Sequence, residues 1–180
     1  MVHQGLNYIR APYRQGLHAL LKISGVDSAN ISTDTIGYIL GPRLNAAGRM
    51  DTALDSLDLL LTHDTQLAVS LAQKLDNQNR ERQQLTRRLQ TLAESIYNTD
   101  EQDYPIIIAA HPDFNPGVVG LVAARLTEQY YLPSMIATIG AEYTRGSCRS
   151  IPEFHITEAL DACADLIEPV SYTHLRAHET

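Results

Sequence analysis

Between Asp64 and Asn98 the chain contains neither proline nor glycine, and Leu67, Leu71, Leu75, Leu85, Leu89, Leu92 and Ile96 recur at threes and fours or their sums. That period holds apolar side chains on one helical face, and Asp64 is a good N-cap. The stretch predicts one helix of roughly 30 residues, near 50 Å long at about 1.5 Å per residue. Helices of this length often bridge two lobes, so the segments before and after it are read separately.

Residues 5 to 61 read as short helices joined by turns. "GLHALLKI" comes first, then "TIGYIL" capped by Thr33 or Asp34, then "ALDSLDLLL" opened by Asp51 or Thr52. The decapeptide "GPRLNAAGRM", Gly41 to Met50, joins two of them. Beyond the long helix the pattern changes. "YPIIIAA" reads as a buried strand, "NPGVVGLVAARLTEQYY" as a helix, "LPSMIATI" as a second strand and "YTRGSCRS" as a third, with a last helix near 156–167. Strand, helix, strand in that order implies a right-handed crossover and a parallel pair. The fold class is α/β: a segment of short helices, a long connecting helix, and an α/β segment with a mainly parallel sheet. Val170 to Thr180, "VSYTHLRAHET", resembles the in-frame translation of a sequencing adapter and is left out of the fold reading.

Composition narrows the function classes. The 180 residues are 44% apolar, enough for a packed core, and carry a formal net charge of −7. That excludes a general basic surface drawing in nucleic acid by charge alone, so any phosphate contact is local. All the basic residues except Lys22 and Lys74 are arginines, which suit planar, forked grips on anions. Cys148 and Cys163 lack metal-ligand or disulfide spacing, as expected in a reducing compartment. "MVHQGLNYIRAPYRQG" has no apolar leader and no apolar run nears the ~20 residues of a membrane span, so the chain reads as soluble and cytoplasmic.

Three segments could carry chemistry. In "PRLNAAGR", small residues let another surface approach the backbone while Arg43 and Arg49 supply forked donors and Asn45 an amide that donates and accepts. That suits a phosphate-bearing strand, and the spacing equally fits a helix-linking turn whose arginines pair with nearby acids. In "RGSCRS", Gly146 permits close approach, Ser147 and Ser150 offer hydroxyls and Arg149 a charged fork. These make a compact pocket for a terminal phosphate, or simply a strand end with turn serines. No His or Lys is placed by sequence to activate Ser147 as a nucleophile. In "HPDFNPGVVG", Asn115 as N-cap and Pro116 at the first helical position give a helix start that either faces an anion or merely caps, and His111 reads as structural. Asp51, Asp55 and Asp58 read as a solvated helix face, and no carboxylate–histidine cluster of the two-metal type is visible.

Taken in order and separated by the long helix, "GPRLNAAGRM", "HPDFNPGVVGLVAARL" and "GSCRSI" resemble the RecJ family of single-strand-specific DNA exonucleases, in the DHH phosphoesterase superfamily, over essentially Met1 to Ile167. The resemblance implies a DHH lobe holding Mn2+ or Mg2+ and a smaller DHHA1 lobe, with single-stranded DNA threaded between them. Residues 1–62 would be the C-terminal part of the DHH lobe, 63–98 the connecting helix, 99–169 a partial DHHA1 lobe and 170–180 the adapter-like tail. It further implies that Arg43, Asn45 and Arg49 lie at the cleft and contact the DNA backbone or order the active site. Gly146, Ser147, Arg149 and Ser150 would hold the 5′ phosphate of a strand degraded from its 5′ end in DNA repair and recombination. A single-strand binding protein or a helicase would be a partner. The metal ligands would lie upstream of Met1, leaving this chain with none and inactive alone, and Leu57, Leu60 and Leu61 partly exposed. Phe114 and Asn115 stand where the family commonly has Trp-His. Two alternatives stay open: a superfamily phosphodiesterase acting on short oligonucleotides or cyclic dinucleotides, and an inactive scaffold relative.

Overall fold

The computed structural model describes residues 2–10, 14–50, 52–99 and 104–166. Asp51, the end of the last expected helix and the adapter-like tail lie outside the described residues. The chain forms two compact units, Met1–Leu85 and Thr86–Thr180. The division falls inside the long helix α5 (Thr65–Thr99), which is shared between them.

In the first unit, α1 (Val2–Arg10), α2 (Gln15–Ile23), α3 (Gly41–Met50) and α4 (Leu54–Leu61) precede α5. The core is built on Leu20, Ile31, Leu40, Leu59, Ala72 and Leu75. Gly16 of α2 lies against the backbone of α4, where a Cβ would stand 1.8 Å from the Leu59 carbonyl oxygen. "GPRLNAAGRM" was expected as a joining segment and is instead the helix α3. It follows directly from a π-helical turn, Thr35–Leu40, in which the Gly41 N–H donates to the Ile36 carbonyl. Pro42 has no N–H for Tyr38 and its ring crowds that carbonyl; the wider turn before it absorbs the mismatch. The cap of this segment is Ser32, not Thr33 or Asp34: Ser32 Oγ accepts from the Thr35 N–H at 3.3 Å, and Thr35 Oγ1 accepts from the Ser32 N–H at 3.1 Å.

Helix α5 starts as expected, with Asp64 Oδ1 accepting from the Gln66 and Leu67 N–H groups at 2.7 and 3.2 Å. Its buried side is not simply the leucine stripe. Ala68, Ala72 and Leu75 are followed by Asp76, Asn79 and Thr86, then Leu89 and Ala93, while Leu67 is exposed. On α4, Leu57 and Leu61 are 49% and 59% exposed. Asp55 departs from the solvated face expected of it: its side chain is largely buried and lies 2.7 Å from Lys74 Nζ. Asp58 is exposed.

The second unit contains β1 (Ile107–His111), α6 (Val119–Tyr130), β2 (Ser134–Ile139), β3 (Thr144–Arg149) and α7 (Ile156–Ala162). The sheet order is β1-β2-β3. β1 and β2 are parallel across α6, whereas β3 is antiparallel to β2. The sheet is therefore mixed and not mainly parallel. The loop 140–143 is far too short for a parallel crossover, which needs about a dozen residues, so β3 must reverse. Ile107, Ala109, Phe114, Val118, Val122, Leu126 and Ile136 are buried, but Ile108 is 53% exposed, so β1 is buried on alternate residues only. Ser134 Oγ donates to the Ala123 carbonyl at 2.8 Å and fixes the start of β2 on α6. Helix α6 begins later than the sequence suggests. Asn115 Oδ1 accepts from the Gly117 N–H at 2.8 Å, forming a turn that leads into Val119.

Candidate nucleic-acid interface

Each unit carries one group of the residues singled out by sequence. In the first, α3 separates its polar side chains by helical position. Ala46 and Ala47 are buried, while Asn45 and Arg49 are exposed on the outer side. Arg43 points the other way. Its Nε donates to Asp76 Oδ1 and its Nη1 to the Ile39 carbonyl, both at 2.8 Å, with the side chain 18% exposed and that of Asp76 fully buried. Arg80 Nη2 lies 2.8 Å from Asp76 Oδ2, a charge contact outside hydrogen-bond geometry. A buried carboxylate thus fixes the orientation of Arg43, whose side chain stays 18% exposed. Sequence reasoning missed Asp76 because it lies in another helix, and an acid within a leucine-rich helix looks like a solvated position.

In the second unit, alternation along β3 divides "RGSCRS" between the two faces of the sheet. Ser147 and Arg149 face α6. A Cβ on Gly120 would stand 2.9 Å from Ser147 Oγ and 3.5 Å from Arg149 Nη2, so this glycine lets a hydroxyl and a guanidinium meet the first turn of α6. Arg149 Nη1 donates to the Cys148 carbonyl at 2.7 Å, which holds the fork in place. Ser147 makes no side-chain hydrogen bond among the described residues. Gly146 and Cys148 lie on the opposite face, where a Cβ on Gly146 would meet Ala137 at 3.2 Å. Ser150 donates its hydroxyl to the Phe154 carbonyl, so its proton is engaged in the following loop. Burial pushes the Cys148 thiol above its usual range, partly offset by the adjacent Arg149 charge. His111 Nδ1 accepts from the Asp113 N–H at 3.1 Å and its ring packs edge-on against buried Phe114, the structural use expected of it. Gly120 was the residue most easily overlooked; its signal was the second glycine in "PGVVG", at the start of a helix.

What this arrangement offers is a helix N-terminal turn, a free hydroxyl and an arginine fork converging on one point, all donors suited to an anion. No family model matches the chain. It is 36% identical to the single-stranded-DNA-specific exonuclease RecJ of Bacillus subtilis over 91% of its own length, and 35% identical to that of Escherichia coli over 88%. The crystal structure of RecJ from Thermus thermophilus in complex with Mn2+ superposes over 93% of the chain with a TM-score of 0.80 at 29% identity. This chain is RecJ-like in sequence and in fold. It spans 21%, 28% and 24% of those three relatives, between a fifth and three-tenths of their length.

RecJ structures hold Mn2+ or Mg2+. Among the described residues of this RecJ-like chain, no three His, Cys, Asp or Glu side chains come together as a metal site. The described residues do not fit such an ion. No helix among the described residues is long and apolar enough to cross a membrane.

Proposed function

We propose that this chain supplies the substrate grip of a metal-dependent 5′-to-3′ single-stranded DNA exonuclease. Ser147 and Arg149 hold the 5′ phosphate, and Arg49, Asn45 and the part-exposed Arg43 contact the sugar-phosphate backbone. The observation that carries this reading is the convergence of Ser147 Oγ and Arg149 Nη2 on Gly120 at the start of α6. A terminal phosphate is an acceptor with about two negative charges, and each element there is a donor or a positive dipole end. The overall negative charge supports local grip over general attraction. Gly146 serves by letting β3 lie close on β2, and Ser150 by shaping the turn after the strand. Contacts of this kind read the backbone and carry little base information. The names of its relatives support single-stranded DNA as substrate, Mn2+ or Mg2+ as the ion of the complete enzyme, and phosphodiester hydrolysis as the reaction. A cytoplasmic setting, with a single-strand binding protein or a helicase supplying the strand, belongs to the same proposal.

The test is a pair of labelled oligonucleotides differing only in a 5′ phosphate or 5′ hydroxyl, titrated with the chain. The phosphorylated one is expected to bind about tenfold more tightly, as one charge-assisted fork supplies, and Arg149→Ala is expected to bring the two together. A ratio unchanged by Arg149→Ala sinks the assignment.

A further inference from the structure

The sheet surface that carries Ser147 and Arg149 continues beyond them. The strand ladders pair Ala109 with Ile136 and Ile136 with Ser147, and, in the next row on that face, His111 with Thr138 and Thr138 with Arg145. Two residues along a strand is about 7 Å, so Arg145 and Thr138 lie one step from Ser147, toward the carboxyl ends of β1 and β2. In open α/β sheets this end is where loops from successive strands enclose ligands. Here the β1–α6 loop and the β2–β3 loop border an open cleft of about 390 Å³, lined by Pro116, Thr138, Glu142, Tyr143 and Arg145 together with residues 140–141.

The chemistry of its wall is not that of a second phosphate pocket. Thr138 lines the cleft, and its Oγ1 is buried without a hydrogen-bond partner, an unmet bond in its wall. Arg145 and Glu142 are exposed and make no ion pair among the described residues, so the rim carries both a donor and an acceptor. A carboxylate repels phosphate, whereas a nucleobase edge presents donors and acceptors together. Tyr143 and Pro116 are exposed and supply flat apolar surface, and aromatic stacking of this kind accepts any base. The loop is held closed by the Gly140 N–H, which donates to the Tyr143 carbonyl at 3.1 Å; a Cβ on Gly140 would stand 2.5 Å from that oxygen.

We propose that this cleft holds the base of the 5′-terminal nucleotide, stacked on Tyr143, beside the phosphate held by Ser147 and Arg149. This rests on the 5′-phosphate reading above. The test uses the full chain and four labelled single strands, with the first nucleotide normal or abasic and the 5′ end phosphate or hydroxyl. Anisotropy titrations are expected to show about tenfold weaker binding for the abasic strands, with Tyr143→Ala bringing normal and abasic strands within about twofold. Tyr143 is exposed, so its truncation leaves the core intact. Equal binding of normal and abasic strands, with the phosphate preference retained, overturns the base pocket and leaves the phosphate reading standing. A base preference that survives Tyr143→Ala overturns the assignment of the stack. Absence of binding to all four strands overturns both.

Discussion

Asp76 shows how a single residue sets the geometry of a candidate contact. It is wholly buried, accepts from Arg43 and faces Arg80. Removing one partner of a buried pair strands the other, a larger loss than breaking an exposed pair. Asp76→Ala is therefore expected to cost about 3 kcal/mol in urea unfolding, and Arg80→Ala less than about 1 kcal/mol because that side chain is 67% exposed. Equal losses would show that Asp76 is not the anchor of Arg43. At this scale the sequence exposes donors better than their surroundings. Arg43, Arg49 and Arg149 were legible as forked donors among small residues, but Asp76, Gly120 and Thr138 were not. Each gains its meaning from an element distant in sequence: an acid under an arginine, a missing Cβ against a hydroxyl, a hydroxyl without a partner. Alternation also divides what adjacency groups, since Gly146 and Cys148 leave the face that Ser147 and Arg149 share.

Among elements, the fit of α2 on α4 depends on one glycine. Gly16→Ala would drive a methyl into the Leu59 carbonyl, a backbone atom that cannot step aside. The expected loss is at least about 3 kcal/mol, seen as a lower urea midpoint. Gly5→Ala on α1 is the control, because nothing lies within 4 Å of its Cβ; it is expected to be neutral or stabilising by up to about 1 kcal/mol. A mild Gly16→Ala would mean the two helices are not in backbone contact. Periodicity makes α5 and the strand–helix–strand crossover readable from the sequence. It failed at α3 because Gly41 and Pro42 signal a break, and the π turn that carries the helix through them leaves no mark in the apolar pattern. The third strand's direction follows from loop length, a constraint already present in the sequence.

For the chain as a whole, the order of three short motifs around one long helix was the informative feature; each alone also fits a cap, a turn or a strand end. The division between the two units falls within α5, and neither its N-cap nor its leucine spacing marks it, because the helix stays regular while its buried residues change from Ala and Leu to Asp76, Asn79 and Thr86 and back. On the proposed reading, this chain grips single-stranded DNA without cutting it. The most direct measurement incubates a 5′-phosphorylated, labelled single strand with the purified chain and Mn2+, then resolves the products on native and denaturing gels. A shifted band on the native gel with a full-length strand on the denaturing gel is the expected result. Chelator-sensitive shortening of the strand, or no shift at any protein concentration that keeps the chain soluble, would contradict it.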